Sequence, residues 1–149
     1  MKILLIEDNR EKAEQISSSI LSFKCNITES QIDLVDNKAE AIELITTKNY
    51  SHIILDMSLP IHKNDQLDIK HLAGKDILIF MRHKRLFIPT IVLTQHDVFG
   101  QQDTFIGLNN LREELTTRFR KFLNAVLFWD NSQQCQNELE SFIGGVEND

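Results

Sequence analysis

Glu7 and Asp8 follow the apolar run Lys2-Ile3-Leu4-Leu5-Ile6, Asp56 follows Ile53-Ile54-Leu55, and Thr94 closes Pro89-Thr90-Ile91-Val92-Leu93. Runs that are apolar on both faces belong inside a parallel sheet, and open parallel sheets carry their chemistry just beyond the carboxyl ends of their strands. If one sheet aligns these three ends, three carboxylates and a hydroxyl share a small pocket. Bare carboxylates at that spacing raise one another's pKa values, and a divalent cation removes the conflict. Hard oxygen donors suit Mg²⁺, which keeps several waters and is held by one or two carboxylates plus a phosphate. Such a pocket is fitted to bring a phosphoryl group to a carboxylate, with Thr94 donating a hydrogen bond to a phosphoryl oxygen.

The elements that must position these residues are legible in the spacing of apolar side chains. Residues 2–6 read as a first strand, followed by a helix with Ala13, Ile16, Ile20 and Phe23 inward and Glu11, Lys12, Glu14 and Gln15 on its polar face. Ile32-Asp33-Leu34-Val35 reads as a second strand. Asn37 with Glu40 has the form of a capping box for a helix that buries Ala41, Ile42 and Ile45 and ends near Asn49. The third strand spans 53–56, with Tyr50 and His52 on its approach. A long polar loop over 57–72 leads to a helix from about Ala73-Gly74 that buries Ile77, Leu78 and Met81. That helix ends in the basic run Arg82-His83-Lys84-Arg85, read as a solvated terminus favoured by the helix dipole. After the fourth strand, 89–94, comes a second long loop over 95–107. Leu108, Leu111, Leu115, Phe119 and Phe122 mark a fourth helix. Residues 123–128 read as a fifth strand, with one helix over 108–128 as the competing reading, and 132–143 as a closing helix through Cys135, Leu139 and Phe142. Strands and helices that alternate in this way predict an α/β domain with a five-stranded parallel sheet, helices on both faces and right-handed crossovers. Residues 1–149 are expected to form a single domain, with no room for an output domain.

Length and composition agree. A chain of 149 residues can bury a substantial core without disulfides or a structural metal. Its 22 acidic residues against 16 basic ones, a net charge of −6, speak against nucleic acid or anionic lipid as partner. No apolar run is long enough for a membrane span or signal peptide, so a cytoplasmic protein is expected. Cys25 and Cys135 are read as reduced, packed thiols. His62, Asp65, Asp68 and His71 lie close in sequence, but in a loop that lacks the fixed geometry a metal site needs.

The pattern Ile6-Glu7-Asp8-Asn9, Leu55-Asp56-Met57-Ser58-Leu59-Pro60 and Val92-Leu93-Thr94 resembles, across nearly the whole chain and in the same order, the receiver domain of bacterial two-component response regulators. The resemblance implies a CheY-like, flavodoxin-like three-layer sandwich. It implies that Asp56 is the phosphoacceptor and that Glu7, Asp8, Asp56 and the backbone carbonyl of Ser58 hold Mg²⁺. Thr94 would then be the hydroxyl that follows the phosphoryl group when the domain switches. The implied partners are a histidine kinase or phosphotransfer protein and a downstream protein target, with a homodimer through the fourth helix, fifth strand and last helix also open.

The departures are specific. Receivers carry a lysine, usually followed by proline, at the end of the fifth strand; here the corresponding residues, Trp129, Asp130 and Asn131, include neither. Lys121 would serve only if the strand lay earlier, and Lys63 or Lys75 would have to reach in from the loop side. Gln95 replaces a small residue and would crowd the pocket. The long loops, the Thr-Gln pair and the aromatic fifth strand resemble an atypical stand-alone receiver group associated with bacterial conflict and defence systems. The leading expectation is a stand-alone receiver acting as a relay, switch or phosphate sink. The alternative is a phosphorylation-independent pseudo-receiver, an interaction module that uses the fourth and last helices. A phosphatase is disfavoured because no general base or second nucleophile is evident.

Overall fold

In chain order the elements are β1 (Ile3–Ile6), α1 (Arg10–Ser22), β2 (Ile32–Val35), α2 (Lys38–Thr47), β3 (His52–Leu55), α3 (Ala73–His83), β4 (Thr90–Thr94), β5 (Val98–Phe99), β6 (Ile106–Gly107), α4 (Leu108–Arg118), β7 (Leu123–Phe128) and α5 (Gln133–Gly144). The structure, a computed structural model, describes residues 1–59, 73–95, 98–99 and 106–144. Five strands form one parallel sheet in the order β2-β1-β3-β4-β7. This is the flavodoxin-like arrangement expected for a receiver. Because the order reverses at β1, a crevice opens beyond the carboxyl ends of β1 and β3, where such sheets bind ligands.

Alternation along the strands builds two cores. Leu4, Ile6, Ile53, Leu55 and Val92 face α2, α3 and α4, which contribute Ala41, Ile45, Ile77, Leu78, Leu111 and Leu115. Ile3, Leu5, Ile54, Ile91 and Leu93 face α1 and α5, which contribute Ala13, Ile16, Ile20, Leu139 and Phe142. Successive side chains of a strand point to opposite faces, so the inner strands β1, β3 and β4 feed both layers and are buried along their whole length. The result is a three-layer sandwich. Asn37 caps α2, its side chain accepting from the Glu40 amide at 2.9 Å and donating to the Glu40 carboxylate at 2.8 Å.

Two expectations are corrected. The stretch over 95–107 is not loop throughout: Val98–Phe99 and Ile106–Gly107 pair antiparallel as a short ribbon before α4. Apolar pairs this short carry no period from which to recognise a strand. Nor is the segment after Asp56 polar at its start, since Met57 and Leu59 are fully buried. The remainder of that loop, 60–72, with His62, Lys63, Asp65, Asp68 and His71, lies outside the described residues.

Between the two readings of 108–128, helix followed by strand is the one adopted. α4 ends at Arg118, a turn follows through the bond from the Phe122 amide to the Phe119 carbonyl, and the Thr90 amide donates to the Phe122 carbonyl at 2.8 Å. Pairing with β4 satisfies backbone groups that a longer helix would leave on an open sheet edge. Arg82, His83, Lys84 and Arg85 are exposed, as a solvated helix end should be. Both cysteines are free, Cys135 buried and Cys25 partly so. No helix among the described residues is long and apolar enough to cross a membrane.

Gly74 controls how closely α3 approaches the chain leaving β3. Its amide donates to the Met57 carbonyl at 3.0 Å. A Cβ at this position would lie 2.5 Å from the Asp56 carbonyl oxygen and 2.8 Å from the Met57 Cα, both backbone atoms that cannot rotate away. Gly74→Ala is therefore expected to destabilise the fold by about 1–3 kcal/mol through overpacking. Urea denaturation checks the loss, which a helix-propensity argument alone would predict to be a gain.

Candidate functional site

The pocket edge is set by two backbone bonds that continue the sheet one residue past its strands. The Glu7 amide donates to the Val35 carbonyl and the Asp56 amide to the Ile6 carbonyl, each at 2.9 Å. Glu7 and Asp56 are thereby held side by side, 3% and 5% exposed. Asp8 adjoins them, and one carboxylate oxygen from each of Glu7, Asp8 and Asp56 lies within 4.8 Å of the others. This hard oxygen set fits a divalent cation such as Mg²⁺. Ser58, two residues beyond Asp56, is buried at the same end of β3. Thr94 is fully buried at the end of β4, and its carbonyl accepts from the Trp129 amide at 2.7 Å.

Asn9 turns the chain from the pocket into α1. Its side chain accepts from the Lys12 amide at 3.0 Å as an N-cap, and its amide donates to Glu7 Oε2 at 3.1 Å. The helix start and the acidic site thus share one residue.

The pocket also holds a cation that the sequence reading put on a polar surface. Lys12, in the first turn of α1, is 2% exposed. Its Nζ lies 2.6 Å from Glu7 Oε1 and 3.3 Å from Asp56 Oδ1, and donates to the Leu93 carbonyl at 2.6 Å. An ammonium has three protons, and three acceptors surround it. Position 12 stands four residues before Ile16 and eight before Ile20, on the inward stripe of the helix; that spacing was the available signal, overridden by the charge of the residue. Glu7 is pushed up to about 7, first by burial and then by the Asp56 charge, with the Lys12 ammonium pulling against both.

The other candidate cations go elsewhere. Lys75 pairs with Glu114 at 2.7 Å. Lys121 lies in the turn before β7, its Nζ 5.4 Å from the Phe87 ring centroid, at the opposite edge of the sheet. Lys63 is outside the described residues. Trp129, first after β7, is 1% exposed and packs among Leu93, Ala13 and Ile16, its indole N–H donating to Gln15 Oε1 at 3.1 Å. Asp130 turns toward α5, accepting from the Ser132 amide at 3.0 Å, and hydrogen bonds from the Ser132 hydroxyl, the Cys135 thiol and that amide lower its pKa to about 2. Asn131 takes the left-handed conformation, φ 59°. Gln95 is exposed and does not fill the pocket, contrary to expectation.

No protein-family model matches the chain. Among curated proteins it is 26% identical over 136 residues to the Detocs response regulatory protein DtcB of Enterobacter cloacae (strain JD6301), covering 87% of this chain and 89% of that protein. It is 30% identical over 110 residues to the protein of the same name from Vibrio alginolyticus, covering 68% of this chain and 70% of the relative. Among solved structures, the receiver domain of the Francisella response regulator 1452 superposes with a TM-score of 0.61 at 19% identity, over 97% of this chain and 98% of that one. The response regulator TrrA from Thermotoga maritima, in complex with Mg²⁺ and BeF, gives 0.61 at 20% identity, over 95% and 99%. These superpositions establish the shared fold.

The burial of Glu7 carries a consequence for stability without metal. Its folded-state pKa, about 7, lies above the ordinary 4.5, so its contribution is fully present below pH 4.5 and is lost as pH rises through 7. In chelator, the stability of wild type relative to Glu7→Gln is expected to fall across that window, by on the order of 3 kcal/mol. Urea midpoints of the two proteins at matched pH values measure it; a constant difference would show that Glu7 ionises as an exposed glutamate does.

Proposed function

Since the chain belongs to the family of the Detocs response regulatory protein DtcB, a family of response regulators with a receiver domain, we propose that it accepts a phosphoryl group on Asp56. The observation that carries this reading is the buried convergence of Glu7, Asp8 and Asp56 at the switch point of the sheet. A carboxylate oxygen of Asp56 attacks phosphorus in a phosphohistidine of a kinase or phosphotransfer protein. The O–P bond of an acyl phosphate forms, the P–N bond breaks, and the electron pair leaves with the imidazole nitrogen. The carboxylates of Glu7, Asp8 and Asp56 and the Ser58 carbonyl are the ligands proposed for Mg²⁺, which when bound supplies positive charge to the transferring phosphoryl oxygens. Glu7 is anchored at one oxygen by the Asn9 amide and holds the Lys12 ammonium with the other. Thr94, buried at the adjoining strand end, is the residue assigned to donate a hydroxyl to a phosphoryl oxygen.

The receiver then works as a relay, a switch or a phosphate sink between a kinase and a downstream protein. The phosphorylation-independent alternative drew its support from the lysine missing after β7 and from a crowding Gln95. An ammonium already beside Asp56 and an exposed Gln95 leave it with little. α4 and α5, its proposed partner surfaces, direct Leu111, Leu115, Leu139 and Phe142 into the core.

Incubation with Mg²⁺ and acetyl phosphate, followed by intact-mass spectrometry, is expected to give a single phosphoryl adduct on wild type and none on Asp56→Asn. Chelation of the metal is expected to abolish the adduct. An equal adduct on both proteins would place the acceptor elsewhere, and no adduct from either this donor or a competent kinase would overturn the reading.

A further inference from the structure

Lys12 stands where helix physics alone would not place it. The first turn of a helix carries the positive end of the dipole, which disfavours a cation, and lysine is almost never fully buried unless paired. Yet Lys12 is 2% exposed, and its ammonium bonds to the acidic edge: Glu7 Oε1, Asp56 Oδ1 and the carbonyl of Leu93, the residue before Thr94. Among the described residues, the contacts that offset its burial are those of the pocket. Just after β7, where receivers carry their lysine, residues 129–131 hold none, and Trp129 donates its indole N–H to Gln15 of the same helix. Helix and strand have exchanged parts: β7 supplies an apolar wall to α1, and α1 supplies the cation to the site.

We propose that Lys12 is the phosphoryl-binding cation of this receiver, delivered from α1 in place of a lysine at the end of the fifth sheet strand. The inference rests on Asp56 being the acceptor. Once the carboxylate carries a phosphoryl group, its new anionic oxygens lie within the reach of an ammonium that now bonds Asp56 and Glu7. A charge-assisted hydrogen bond to them replaces one of the three it already makes.

Trp129 is the sole tryptophan, and its link to α1 through Gln15 makes its emission a reporter. Wild type and Lys12→Met are titrated with beryllofluoride in saturating Mg²⁺, and separately with Mg²⁺ alone. The methionine variant is expected to bind beryllofluoride more weakly by about tenfold or more, the loss of one charge-assisted hydrogen bond, while binding Mg²⁺ at least as well as wild type. Equal beryllofluoride affinity, or a loss of Mg²⁺ binding of the same size, would overturn the assignment. If the variant does not fold, the ¹⁵N resonance of the Lys12 Nζ in lysine-labelled wild type decides. It is expected to shift with beryllofluoride in wild type but not in Asp56→Asn, and a stationary resonance sinks the proposal. The two readings fail separately: wild type that binds beryllofluoride while Lys12 stays unaffected overturns this one alone. Wild type that neither binds it nor takes phosphate from acetyl phosphate overturns the acceptor reading and this inference with it.

Discussion

Three carboxylates gathered at the edge of a parallel sheet, where water is largely excluded, repel one another and lose hydration together. Everything around the pocket answers that constraint. The Lys12 ammonium reaches two of the carboxylates, the Asn9 amide bonds a free oxygen of Glu7, and the start of α1 is tied to both. A buried ion pair need not stabilise a fold more than apolar side chains of similar volume would. Its worth here is positional: the ammonium is fixed between Glu7 and Asp56, at the acidic edge.

The sheet makes that positioning rigid. Glu7 and Asp56 sit one residue past strands whose ladder bonds continue through their own amides, so neither main chain can drift without unpairing β1 from β2 or β3. From the other side, Gly74 allows the first turn of α3 to press against the Asp56 carbonyl. Asp56 is thus clamped by backbone on both sides while its carboxylate remains in the crevice. Rigid elements with a reactive group at their junction are what a receptive site requires.

Much of this was legible in the amino-acid order. Five apolar runs with period-3.6 segments between them predict the alternating α/β topology, and the boundaries of β2, α3 and β7 fall where the spacing changes. Glu7, Asp8 and Asp56 could be grouped without coordinates, because a parallel sheet has one carboxyl edge and each residue follows an apolar strand. Short elements such as β5 and β6 were not legible, since two residues establish no period.

Lys12 was misassigned by pattern reading for a different reason. Hydrophobic periodicity sorts residues by type, and a lysine between glutamates is sorted to the surface. Whether it is buried depends on what the facing strands present, and here β1, β3 and β4 present two carboxylates and a carbonyl at the end of its reach. The same holds for Trp129, whose place against Gln15 follows from β7 lying beside β4 with α1 packed across that face. Local order along the chain specifies elements and the edge on which the acids meet, because both follow from spacing within one run or one strand end. Two of the three partners of the Lys12 ammonium lie 44 and 81 positions away, and only the packed sheet brings them within bonding distance.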